Sequence, residues 1–174
     1  MDEDRAASHV AVVHARREDR RAIENMFQLY VHDFTELWAG TPRGELPDDG
    51  LFPLIPLDDY WASKDHEPLL IRVDGHLAGF ALIDKNAHSG SALDFNMAEF
   101  FVARKHRRGG VGRRAAHDIF QKRRGVWEAA VARRNVAALW FWRATIASLP
   151  GARDLSEQDQ NDERWNGAIL RLRV

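Results

Sequence analysis

Phe100-Phe101-Val102-Ala103-Arg104-Lys105-His106-Arg107-Arg108-Gly109-Gly110-Val111-Gly112-Arg113-Arg114 runs from an apolar, strand-like segment through a basic, glycine-rich turn into an amphipathic helix pattern. Glycine opens backbone conformations closed to other residues, so successive N–H groups can converge on one point. The first turn of the helix that follows leaves its own N–H groups unpaired and carries positive partial charge. Together these make a socket for phosphate groups. The socket lacks the Gly-Lys-Ser/Thr of a Walker loop and the three-glycine dinucleotide fingerprint. It fits Arg-x-x-Gly-x-Gly, as Arg107, Gly110 and Gly112.

Working outward, Leu93 to Ala103 reads as a long strand ahead of the turn, and Val111 to Arg124 as a helix with Val111, Ala115, Ala116, Ile119 and Phe120 on one face. Gly125 falls where a helix C-terminal glycine belongs, with Lys122, Arg123 and Arg124 in the last turn. Upstream, Leu69 to Val73 and Leu77 to Ile83 flank Asp74-Gly75, a strong hairpin signal. Val10 to Ala15 is a short strand, and apolar residues from Ile23 to Trp38 recur at helical spacing. Gly40 to Pro56 reads as a loop and Leu57 to Ser63 as a short helix. Downstream come a buried strand, Trp127 to Ala132, and a helix opened by Asn135. That helix is so apolar, with Arg143 its lone charge, that it should be covered on most sides. Pro150-Gly151 stops it; Asp154 to Asn166 is polar and loop-like, and Ile169 to Val174 alternates like a half-buried final strand. The order predicts one α/β domain over residues 1–174, a mixed central sheet flanked by helices.

The chain has 174 residues, 45% hydrophobic and 29% charged, enough for one well-buried core. It has no cysteine, which excludes disulfides and any route through a cysteinyl thioester. Met1 to Arg5 is polar and acidic, unlike a secretory signal, and no apolar run approaches a membrane span, so a cytoplasmic protein without membrane partners is expected. Net charge is −1, yet twelve of the 25 Lys and Arg residues lie between Arg104 and Arg143 against two acids, Asp118 and Glu128. Thr41 to Tyr60 and Ala152 to Arg164 are acidic. Such asymmetry suits a polyanionic ligand on one side and a cationic one on the other.

Arg107, Gly110 and Gly112, a strand before them, a helix and a strand after them, and then Asn-x-x-Ala (Asn135, Ala138) opening a second helix resemble the GNAT superfamily of N-acetyltransferases from end to end. Trp127-Glu128, Asn135 and Phe141-Trp142-Arg143 are most similar to a group of bacterial members predicted from sequence, of undefined substrate. The resemblance implies the acyl-CoA N-acyltransferase fold and acetyl-CoA as co-substrate, without a metal. By position, the amides from Arg107 through Arg108, Gly109, Gly110 and Val111 to Gly112 would take the pyrophosphate. The backbone of Phe100, Phe101 and Val102 would pair with pantetheine like an added strand, entering through a splay between that strand and the one from Trp127. Asn135 would touch the pantetheine arm, act as a plain helix cap, or both.

Direct attack on a thioester needs an unprotonated amine, so a base is required. Glu99 is the candidate, because it interrupts the apolar series Leu93, Phe95, Met97 and Phe101, where burial raises a carboxylate pKa. The other reading of Glu99 is a carboxylate paired with a nearby arginine or fixing the loop; Asp94 and Asn96 are the runners-up. A strand bulge would upset this alternation. Many family members carry a tyrosine seven residues after the asparagine to protonate the thiolate; here that residue is Trp142. Water, Tyr30 or Tyr60 remain as donors, or turnover is slow. For the acceptor, the first helices and their loop offer Tyr30, Asp33, Phe34 and Tyr60, acids among aromatics that suit an ammonium group.

Two other functional classes compete. A member that binds acyl-CoA without catalysis is compatible with Trp142. Nucleic-acid binding through residues 104–114 is less compatible, since overall charge is near zero and no nucleic-acid motif occurs. The His14-x4-Asp19 pattern of glycerolipid acyltransferases has no supporting context, and the eight histidines show no paired ligand spacing. A homodimer stays open as an assembly.

Overall fold

Strand β4 (Phe95–Val102) is the middle of a seven-stranded sheet in the computed structural model, which describes residues 8–174. The polar segment Met1 to Arg5 lies outside the described residues. The sheet order is β1 (Val10–His14), β2 (Glu67–Val73), β3 (His76–Asp84), β4, β5 (Val126–Ala132), β7 (Asn166–Arg173) and β6 (Arg153–Asn161). All neighbours are antiparallel except β4 and β5, which are joined by a helical crossover and run parallel. Asp74 and Gly75 both take positive φ, 49° and 81°, which closes β2 onto β3 with the twist a two-residue hairpin needs.

Helices α1 (Arg20–Thr35) and α2 (Asp59–Ala62) cover one face, packing Ile23, Phe27 and Tyr60 on Leu70, Phe80, Leu82 and Phe101. Helices α3 (Val111–Gln121) and α4 (Val136–Ala147) cover the other, packing Ile119, Phe120, Trp142 and Ile146 on Ile83, Met97, Trp127 and Leu170. The mixed α/β fold is therefore as the sequence predicts.

Several local expectations need correction. Arg153–Asn161 is strand, not loop, and pairs along β7 at the sheet edge. Eight of its nine residues are exposed, so no apolar alternation betrays it. Helix α4 is not covered on most sides, since Val136 and Trp140 are 55% and 65% exposed. Helix α3 ends at Gln121, and Gly125 is no helix cap. It takes φ 150° beside Asp94, where an added Cβ would sit 2.5 Å from the carboxylate.

The alternation through β4 also breaks. Leu82 pairs with Glu99 but Ile83 with Met97, which leaves Ala98 as a bulge. Phe95 and Met97 consequently face α3 and α4, while Phe101 faces α1. Glu99, opposite Leu82, shares the α1 face. The set Phe95, Met97, Glu99 and Phe101 is thus divided between two sides of the sheet.

Candidate active site

Beyond the pairs Phe95–Trp127 and Asn96–Glu128, β4 and β5 share no further register. The two strands part there, and among the described residues no strand pairs with the edge of β4 from Glu99 onward on that side. The expected splay is present. Asp94 pins its vertex: its N–H donates to the Val126 carbonyl at 2.9 Å, and its carboxylate accepts from the Val126 N–H at 2.8 Å.

After β4 the chain makes one 3-10 turn, Arg104–His106, and then uses two positive φ angles, Arg108 at 65° and Gly110 at 75°. A non-glycine residue in that region costs about 1–2 kcal/mol. The first α3 bond is Arg114 N–H to the Gly110 carbonyl at 3.0 Å, so the amides ahead of it point out of the helix, without a partner among the described residues. An added Cβ at Gly110 meets no protein atom within 4 Å, whereas one at Gly112 would lie 3.1 Å from Phe141. Gly110 thus keeps open space in front of the amides, and Gly112 lets α3 approach α4.

A cavity of about 820 Å³ joins the splay to this turn. Its walls come from Phe100, Phe101 and Val102 of β4, from Arg107, Arg108, Gly110 and Gly112, from Asn135, Phe141 and Trp142 of α4, and from Tyr30, Asp33 and Phe34 of α1. The Asn135 side chain accepts from the Ala138 N–H at 3.1 Å, so it caps α4 while also facing the cavity.

Asp33 clamps the loop. It accepts from Arg104 at 2.7 Å through one oxygen and from Arg107 through the other, and Arg107 also donates to the Val102 carbonyl at 2.6 Å. Burial pushes the Asp33 pKa up, but the two guanidiniums outweigh it and hold the carboxyl below its ordinary value.

The Tyr30 hydroxyl donates to Glu99 Oε2 at 2.6 Å. Burial raises the Glu99 pKa to about 7, the tyrosine bond works against that rise, and the charge of Asp84 adds to it. Burial and the Glu99 charge push the Tyr30 phenol well above its usual 10. Among the described residues Glu99 pairs with Tyr30 and with no arginine, so the ion-pair reading does not describe it.

The sequence from residue 23 to 145 matches the Acetyltransferase (GNAT) family model. The chain belongs to the GNAT acetyltransferase family. No curated protein matches the sequence. Among solved structures, an acetyltransferase from Thermus thermophilus aligns with a TM-score of 0.63 at 15% identity, covering 96% of this chain and 97% of that one. PaiA N-acetyltransferase from Thermoplasma acidophilum, solved in complex with coenzyme A, aligns with a TM-score of 0.60 at 12% identity over 95% and 99%. The ribosomal-protein-S18-alanine N-acetyltransferase of Escherichia coli gives 0.54 at 10% identity over 94% and 92%. At these identities the likeness is one of fold.

In this GNAT-family chain some residues singled out by sequence sit apart from the cavity. Val111 is buried with Ile71, Val73 and Ala115 as the anchor of α3, and Gly109 is exposed at the tip of the turn. Tyr60 is buried edge-on to His66 at 5.0 Å and does not line the cavity. Asp94 is occupied at the vertex, and Asn96 is buried, donating to Asp84 at 2.8 Å. Sequence reasoning missed the Asp84 carboxylate beside Glu99, and also the fully buried Glu128. Glu128 accepts from the His88 N–H at 2.6 Å, from Ser89 and from Arg171, which ties the β3–β4 connection to the sheet. An acid inside the apolar strand Trp127 to Ala132 was the available signal. Among the described residues no helix is long and apolar enough to cross a membrane, and no group of His, Asp and Glu has metal-ligand geometry.

Proposed function

We propose that this protein is an N-acetyltransferase that passes the acetyl group of acetyl-CoA directly to a primary amine of a small molecule or peptide. The observation that carries the reading is the open edge of β4 at the splay, running into a cavity that ends on the unpaired amides of the glycine turn. These features fit the co-substrate. Amides of Arg108, Gly110 and Gly112 and the guanidinium of Arg108 would hold its phosphates. Backbone groups of Phe100 to Val102 on the edge that β5 leaves unmatched would hold its amide-bearing arm as an added strand, the Val102 carbonyl excepted because it already accepts from Arg107. A backbone N–H there would stabilise negative charge developing on the thioester oxygen. The bound molecule supplies an activated acyl group and a thiol leaving group.

Glu99 is the base. A carboxyl with a pKa of about 7 is half ionised at neutral pH and basic enough to accept a proton from an amine, directly or through water. The lack of cysteine supports direct transfer over a covalent relay on sulfur. Arg107 serves the loop as a brace through Asp33 and Val102, and Asp33, with its charge already balanced, is a poor counter-ion for an ammonium. The same balance weakens the nucleic-acid reading of residues 104–114.

Trp142 favours one second reading, a member that binds acetyl-CoA without turning it over. A calorimetric titration with acetyl-CoA, followed by thiol release across a panel of amines, separates the two. Binding with release supports transfer, binding without release supports the second reading, and no heat at all removes both.

A further inference from the structure

The reaction still lacks a donor for the departing sulfur. Trp142 stands where the resemblance expects a tyrosine, and an indole N–H does not act as an acid. It packs on Phe100 at 5.2 Å and on Phe120 at 6.2 Å as part of the cavity wall. Tyr60, one of only two tyrosines, is turned into the core.

Tyr30 is placed differently. It lines the same cavity as Trp142 and the open edge of β4, on the opposite side from α4. Its ring is held by Phe27, Phe34, Phe80 and Phe101 at centroid distances of 5.4, 4.8, 5.9 and 6.0 Å, which leaves the hydroxyl one direction in which to point. That direction is Glu99, at 2.6 Å. Glu99 is half-buried and is not among the residues that line the cavity. The phenol stands between the carboxylate and the space the thioester would enter.

We propose that Tyr30 is the acid of the reaction, and that it hands to the sulfur the proton that Glu99 takes from the amine. This rests on the acetyl-transfer reading above. As the bond from the amine nitrogen to the acetyl carbon forms, the carbon–sulfur bond breaks and its electron pair goes to sulfur. The N–H proton passes to the Glu99 carboxylate. The carboxyl then donates to the Tyr30 oxygen while the Tyr30 O–H proton passes to sulfur, so the thiol leaves neutral and both side chains finish as they began. The bulge at Ala98 makes this possible by turning Glu99 onto the α1 face, where Tyr30 can reach it. The high pKa of the phenol agrees with a group that relays a proton and never rests as phenolate.

The test uses free coenzyme A. Because the chain has no cysteine, the thiolate absorbance of the complex reports the ligand sulfur alone. In Glu99→Gln the amide can donate to the Tyr30 oxygen, leaving the Tyr30 O–H for sulfur. The thiol bound to Glu99→Gln should titrate about one pH unit lower than in the Glu99→Gln/Tyr30→Phe double variant, the effect of one hydrogen bond to a charged group. Identical titrations with coenzyme A binding intact overturn the relay and leave the transferase reading standing. No binding of coenzyme A by the unaltered protein overturns both.

Discussion

Asp84 and Glu99 are two carboxylates on neighbouring strands of the same sheet face, and the charge of the first helps to keep the second protonated up to about pH 7. The order of effects matters: burial dominates, and the Tyr30 hydrogen bond opposes it. Because the working base is the ionised form, kcat/KM should rise with pH and level off above about 7. Glu99→Gln should lower the plateau by about a hundredfold and remove the inflection. A pH–rate profile that keeps its inflection in the variant would assign the base elsewhere.

The same group carries a stability consequence of opposite sense. Its folded pKa, about 7, lies above the reference 4.5, so the folded state holds the proton more tightly. The stabilisation is complete below pH 4.5 and is lost as pH rises through 7. Glu99→Gln should therefore leave stability nearly unchanged at pH 4 and raise it at pH 8.5, by about 1–3 kcal/mol after allowance for partial exposure. Thermal melts at the two pH values check the sign; a variant less stable at pH 8.5 would mean that Glu99 is held by favourable contacts as an anion.

Gly110 separates phosphate binding from folding. Its φ of 75° means that any side chain costs about 1–2 kcal/mol, yet no protein atom lies within 4 Å of an added Cβ. Gly110→Trp should stay folded and lose acetyl-CoA affinity by about a hundredfold or more, since the indole fills the space before the amides. Calorimetry beside a thermal melt reads both, and unaltered affinity would remove the phosphate-socket assignment.

Asp33→Asn tests the clamp. If Asp33 braces Arg104 and Arg107, its neutralisation should raise KM for acetyl-CoA several-fold by loosening the turn, with little change in KM for the amine. The reverse pattern would return Asp33 to the acceptor side, as the sequence expectation had it.

Most of the framework was legible because its signals are local: Asp74-Gly75 closes a hairpin, Asn135 caps a helix, and the Arg107–Gly112 motif lies within one turn. What escaped depends on partners far along the chain. Nothing near Asp33 announces guanidiniums 71 and 74 residues away, and Tyr30 meets Glu99 across 69 residues. The bulge at Ala98 has no glycine or proline to mark it, so strict alternation mixed two faces. Strand β6 is polar on both sides because it is a sheet edge, and polarity without alternation reads as loop.

Trp142→Tyr asks whether the acid can be moved back across the cavity. Trp142 is 7% exposed and touches Phe100 and Phe141, so the smaller ring costs packing, about 1–2 kcal/mol. In the wild-type background, where Tyr30 already serves, the change should do little for turnover. In Tyr30→Phe it should restore thiol release by about tenfold or more, because a phenol again faces the sulfur from α4. Steady-state release from acetyl-CoA with whichever amine the panel identifies gives the comparison. Equal rates for Tyr30→Phe with and without Trp142→Tyr would mean that α4 does not aim residue 142 at the leaving group, while an unimpaired Tyr30→Phe single variant would make water the proton donor.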